Sequence, residues 1–192
     1  MSPIEEGLYA LSPDGKKQWG RQFTNSGPHF AGPWNYEPVI GPSRTIYVAG
    51  MRYLYAVRPD GTTKWVHEAT YDGAHVTIGG SPAVGPGGMI YLAQARLRAL
   101  TPGGTPAWDL ETGGGWLFSP AVGPSGNVYV SASDTLCTAI NPAWAIWSVL
   151  GIDIGTVWTW DRSGDVPVTG PEVASDGTVY IGTRSGSVPS SV

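Results

Sequence analysis

Charge is scarce in this chain. Asp, Glu, Lys and Arg make up 14 % of its 192 residues, against roughly 25 % in ordinary soluble domains. The net charge is −4 and no basic run occurs, so the clustered Lys/Arg footprint of a nucleic-acid binder or a polybasic anchor is missing. The one cysteine, Cys137, excludes an internal disulfide framework. With Leu136 and Ile140 beside it, it reads as a small buried strand residue. The three histidines, His29, His67 and His75, include no pair at helical metal-ligand spacing, and no Cys-x-x-Cys accompanies them. No uninterrupted membrane-length run appears either. Residues Thr135–Ile152 carry no charge, but Asn141-Pro142 falls inside the stretch and Asp153 closes it. Met1–Gly15 holds acids and a turn where a secretory leader has a basic start and an apolar core.

What is abundant points to β-structure. Glycine (28) and proline (17) fill close to a quarter of the chain, a density that forbids long helices. Nine Trp and nine Tyr, with many β-branched residues, are too many for a disordered chain. Short strands joined by tight turns satisfy both facts, and the length suits a single core.

Two phrases repeat. The first reads Glu-Pro-Val-Ile-Gly-Pro-Ser-Arg-Thr-Ile-Tyr-Val over Glu37–Val48 and returns over Ser81–Leu92, Ser119–Val130 and, more loosely, Gly170–Ile181. The second is Leu-Tyr-Ala-Leu-Ser-Pro-Asp-Gly over Leu8–Gly15, returning over Leu54–Gly61 and Leu97–Gly104. A tryptophan follows each copy, at Trp19, Trp65 and Trp108. A degenerate fourth copy, Leu136–Ala143, is followed by Trp147. The first phrase is two short strands around a Gly/Pro turn. The second is a strand, a Pro-Asp-Gly turn formed at Asp14 and Asp60, and a returning strand that carries the tryptophan. Four strands per unit of roughly 40–50 residues is the period of a propeller blade.

These phrases resemble the PQQ-like β-propeller repeat family, which includes the quinoprotein dehydrogenases and the assembly lipoprotein BamB. The likeness rests on the Ala-x-x-x-Asp-Gly-x-x-x-Trp runs (Ala10–Trp19 and Ala56–Trp65) and the Ser-Pro-Ala-Val-Gly-Pro hairpins. It implies an all-β propeller of four-stranded antiparallel blades, four units per chain, with Trp19, Trp65 and Trp108 tying blades together. The expected single domain, 1–192, divides at approximately 25–66, 67–110, 111–150, and 165–192 plus 1–24. The quinone ligand set and the adjacent cysteines of the dehydrogenases have no counterpart in the sequence, so no cofactor is expected.

The phrase order also relates the two ends. The chain opens at a third strand and closes just after a second one, so the N- and C-terminal strands are expected to complete one shared blade. A self-closed ring, a homodimer closing an eight-bladed ring, a filament, or a fragment of a longer propeller would each satisfy that pairing.

Catalysis has little foothold: no Gly-x-Ser-x-Gly elbow is present, and Gly113-Gly114-Gly115 precedes no helical pattern. The non-repeating segments offer binding candidates instead. Trp34, Tyr36, His75, Trp116 and Phe118 lie on blade-to-blade links, where aromatics with polar tips stack on sugars or grip peptides. Trp144, Trp147 and Trp158 lie on an apolar insertion in the unit whose repeat spacing is longest, which reads as a partner-facing patch. The expected function is a non-enzymatic binding or scaffold propeller contacting protein or glycan. The alternatives are a quinoprotein-like oxidoreductase active after assembly and a purely structural ring or filament subunit. The family resemblance implies a periplasmic or extracellular location.

Overall fold

The computed structural model describes residues 7–23, 36–112, 117–133, 135–145, 155–160 and 165–185. Among these the chain is all-β apart from one short helix, α1 (Pro142–Ala145), and a 3-10 turn at Pro86–Gly88.

The chain enters on a hairpin, β1 (Gly7–Leu11) and β2 (Lys17–Gln22). The first four-stranded sheet follows: β3 (Val39–Ile40), β4 (Ile46–Ala49), β5 (Tyr53–Val57) and β6 (Thr63–Glu68). A small hairpin, β7 (Thr70–Tyr71) and β8 (Ala74–His75), leads to the second: β9 (Ala83–Val84), β10 (Ile90–Ala93), β11 (Leu97–Leu100) and β12 (Pro106–Leu110). The third is β13 (Ala121–Val122), β14 (Val128–Ala132), β15 (Thr135–Ile140) and β16 (Thr156–Trp160). Two short pairs close the described chain: β17 (Asp165–Pro167) with β20 (Thr183–Ser185), around β18 (Glu172–Val173) with β19 (Val179–Tyr180).

Each four-stranded sheet is a meander in sequence order, because both joining turns are local. The first turn closes from residue four to residue one, as in Gly88 N–H to Gly85 O and Gly126 N–H to Gly123 O. It requires a left-handed residue at its fourth position, and Gly88, Gly126 and Gly177 supply it. Arg44 takes that conformation in the first sheet, at φ 61°. The second turn, at Pro59-Asp60-Gly61, is held by the Asp60 carboxylate, which accepts from the Thr62 amide at 2.9 Å and hydroxyl at 2.7 Å. Those bonds hold the exposed Asp60 carboxyl below its ordinary value.

The sheets pack face to face, and strand alternation shares the side chains between two neighbours. Tyr47, Ala49, Leu54 and Ala56 bury against Ile90, Leu92 and Leu100 of the second sheet. Tyr91, Leu97, Trp108 and Leu110 bury in turn against Val128, Val130 and Ile140 of the third. On the opposite face of the first sheet, Tyr55 and Val57 receive Leu8, Trp19 and Phe23 from the entry hairpin. Tyr129, Cys137 and Ala139 receive Val173, Val179 and Ile181 at the far end. Hence β1–β2 and β18–β19 lie at opposite ends of the stack, with three complete sheets between them, and they are not paired with each other.

Candidate functional site

Two features of the stack have the dimensions of a site. One is a channel. The first strands of successive units pack side by side, β3 on β9, β9 on β13 and β13 on β18, and they wall a cavity of about 940 Å³. Its rim carries Glu37, Ser81, Ser119 and Thr169, with Glu172 below. The rim is stitched between neighbours: the Ser81 hydroxyl accepts from the Glu37 amide, and the Ser119 hydroxyl from the Ser81 amide, both at 2.9 Å. Glycines allow this close approach, since a Cβ on Gly80 would lie 2.3 Å from the Ser119 hydroxyl.

The other is an apolar edge beyond the third sheet. A groove of about 700 Å³ runs between β15–β16 and β19, lined by Cys137, Trp158, Trp160, Val179, Tyr180 and Ile181. Trp158, Trp160 and Tyr180 are all exposed there. The Cys137 thiol at its floor is fully buried, and burial pushes its pKa up to about 11. It is a packing group at neutral pH, not a nucleophile.

The residues expected to contact ligands fall in different places. Tyr36 is half-buried between units, where its hydroxyl donates to the Ile78 carbonyl at 2.9 Å. Burial raises its pKa. His75 sits exposed on β8 with its Nδ1 3.0 Å from Glu68. Phe118 lies just ahead of β13, its amide bonded to the Ser131 carbonyl at 2.9 Å. Trp158 lies on β16 over Tyr129, with ring centroids 5.9 Å apart. Trp144 falls on α1. Trp34, Trp116 and Trp147 lie outside the described residues, as does the Trp144 side chain. Of the described candidates, only Trp158 lines the groove. The structure places Trp160, Tyr180 and Cys137 beside it, none of which the sequence had singled out as a contact.

The tryptophans expected to tie units together have distinct seats. Trp19 donates its indole N–H to the Pro59 carbonyl at 2.8 Å, and Trp65 donates to that of Pro102 at 3.0 Å. Each ring lies on the left-handed glycine of the next unit's turn, Gly61 and Gly104, where a Cβ would approach to 2.9 and 2.6 Å. Trp108 borders the corresponding turn of the third sheet, beside Asn141, Pro142 and Ala143. Burial, and secondly the nearby Arg98 charge, lower the pKa of His67 on β6 below its ordinary value. Arg98 itself makes a bidentate pair with Asp109 at 2.7 and 2.8 Å.

No family model matches this chain, and no curated protein matches it in sequence. Solved structures do match in shape. The virginiamycin B lyase of Staphylococcus aureus aligns with 96 % of the chain at a TM-score of 0.61 and 11 % identity. BamB of Moraxella catarrhalis aligns with 87 % at 0.56 and 14 %. Both are β-propellers. The fold is that of a β-propeller. The extracellular domain of a one-component system from B. thetaiotaomicron aligns with 94 % of the chain at 0.53 and 8 %. This chain spans 64 % of the lyase, 49 % of BamB and 27 % of the extracellular domain. The four-stranded sheets are therefore blades, and the cavity walled by their first strands is the propeller channel.

Proposed function

We propose that the chain is a non-enzymatic binding or scaffold propeller that engages protein through the apolar edge of its third complete blade. The observation that carries this reading is the exposure of Trp158, Trp160 and Tyr180 around one groove. A contiguous apolar patch of this kind marks an interaction surface, and aromatic anchors dominate such surfaces. The protein reading is preferred to a glycan one. Among the expected sugar-stacking residues, Tyr36 already spends its hydroxyl on the Ile78 carbonyl. The proposed architecture is four blade units, of which the chain holds three complete and the fourth as two separate halves, β1–β2 and β18–β19. The proposed location is extracytoplasmic, supported by the likeness to BamB and to an extracellular domain.

Extended peptides that alternate aromatic and aliphatic residues, titrated by intrinsic tryptophan fluorescence, test the edge. We expect micromolar binders whose affinity falls by at least about tenfold in Trp160→Ser, because truncating an aromatic anchor costs on the order of 2 kcal/mol. Equal affinity for wild type and variant, or no binder among such peptides, would overturn the reading.

A further inference from the structure

We propose that the groove seats β1–β2 of a second copy of this chain, which completes the blade begun by β18–β19 with Ala10 of one copy opposite Tyr180 of the other. This rests on the reading of the apolar edge as a protein-binding surface and names its occupant.

The three complete blades define what an occupied position looks like. In each, a tyrosine on the second strand pairs with an alanine on the third, and that alanine pairs with a tryptophan on the fourth. The sets are Tyr47–Ala56–Trp65, Tyr91–Ala99–Trp108 and Tyr129–Ala139–Trp158. The small alanine lets the flanking rings meet across it, with centroids 5.7, 5.9 and 5.9 Å apart. The chain contains the parts of a fourth set, but divided. Tyr180 stands on β19, which has no third strand beside it among the described residues. Ala10 pairs with Trp19 on β1–β2, which has no second strand beside it among the described residues. One half lacks what the other provides.

Burial separates the filled positions from the vacant ones. Tyr47, Tyr91 and Tyr129 are 1 %, 2 % and 6 % exposed, whereas Tyr180 is 62 % exposed. Tyr55 and Val57 on β5 are 4 % and 0 % exposed because the entry hairpin covers them. Their counterparts on β1, Tyr9 and Leu11, are 51 % and 63 % exposed. Placing β1 beside β19 in the register of the other blades carries Tyr9 and Leu11 onto the groove lined by Cys137, Trp158 and Trp160.

The tryptophan seats follow the same division. Trp19 and Trp65 each lie on a turn glycine of the next unit. Trp158 holds the same register position on its own blade, yet it is 40 % exposed, because β18–β19 brings no outer turn to receive it. Among the described residues, the equivalent turn at Pro13-Asp14-Gly15 holds no ring, and nothing lies within 4 Å of a Cβ position on Gly15. One plug lacks a socket and one socket lacks a plug.

A second copy is the occupant rather than the chain's own hairpin. That hairpin is already docked at the other end of the stack, with Trp19 on Pro59. Two copies related by a twofold axis would make two identical joints, each setting the open edge of β19 in one copy against the open edge of β1 in the other.

Disulfide capture tests the pairing and its register. Residues directly opposite on antiparallel strands have Cα atoms about 4.5–5.5 Å apart, within the range a disulfide spans. Ala10→Cys and Tyr180→Cys chains, mixed and oxidised, are expected to give a covalent dimer that neither variant gives alone. Ala10→Cys mixed with Thr178→Cys, two residues out of register, is expected to give at least about tenfold less. Tyr9→Cys with Ile181→Cys is the neighbouring pair and repeats the test should either first variant fail to fold. If the doubly substituted chain links only within itself, the second copy is wrong and the chain's own hairpin fills the groove. If no pair links, the composite blade is wrong. The edge reading then stands or falls separately, on the peptide titration.

Discussion

Trp108→Ala is expected to lower the free energy of unfolding by about 3–5 kcal/mol, the range for truncating a buried large aromatic. Trp108 is nearly fully buried. It packs against Tyr91 at 5.9 Å and belongs to the cluster that joins the second blade to the third through Leu97, Leu110 and Val128. It also borders the Asn141-Pro142-Ala143 turn. Removing the indole therefore opens a cavity at a joint between blades, where neither sheet can collapse without shifting the other. Trp158→Ala, at the same register on the third blade, removes a ring that the single chain leaves partly in water, and at concentrations where the chain is monomeric it is expected to cost markedly less. Urea unfolding of both variants followed by circular dichroism separates them. Equal losses would mean that Trp108 is not a joint residue.

Gly104→Ala is the second large expected loss. Gly104 has φ 86°, a conformation in which an alanine costs roughly 1–2 kcal/mol. A Cβ there would also lie 2.6 Å from the Trp65 indole. The ring must move, and its 3.0 Å hydrogen bond to the Pro102 carbonyl moves with it, forfeiting roughly 1 kcal/mol more. Gly177→Ala isolates the backbone share, since Gly177 has φ 89° with nothing within 4 Å of its Cβ position. Gly104→Ala is expected to destabilise by at least about 1 kcal/mol more than Gly177→Ala in denaturant melts. Equal values would mean that the indole yields freely.

Local elements were legible because their determinants are adjacent in sequence. Gly-Pro-Ser-Gly and Pro-Asp-Gly specify their turns by themselves, so the hairpins at Ala121–Ala132 and Tyr53–Glu68 stand where the repeated phrases place them. The family resemblance implied that Trp19 and Trp65 tie blades together, but their seats on the turns at Gly61 and Gly104 depend on residues 40 and 37 positions away. The third blade was harder. Its second phrase leads to Trp147 by counting, but Ala139 pairs with Trp158, because residues 141–155 intervene before the returning strand and counting cannot cross an insertion of unknown path. Trp160 and Tyr180 were overlooked for a related reason. An exposed aromatic on a strand looks the same in sequence as a buried one, and only the absence of a neighbouring hairpin distinguishes Tyr180 from Tyr47, Tyr91 and Tyr129. Phrase order led to the expectation that the two end strands share a blade. Their separation by three blades was not readable from it, since it depends on how far the stack curves.

Light scattering of the wild-type chain in solution, behind a sizing column and over a range of loading concentrations, bears most directly on the role of the apolar edge. If the groove seats β1–β2 of a second copy, the mass is twice the 20.2 kDa of one chain, and Trp158→Ser shifts it toward the single-chain value. A mass of 20.2 kDa at every concentration would contradict the joint between copies.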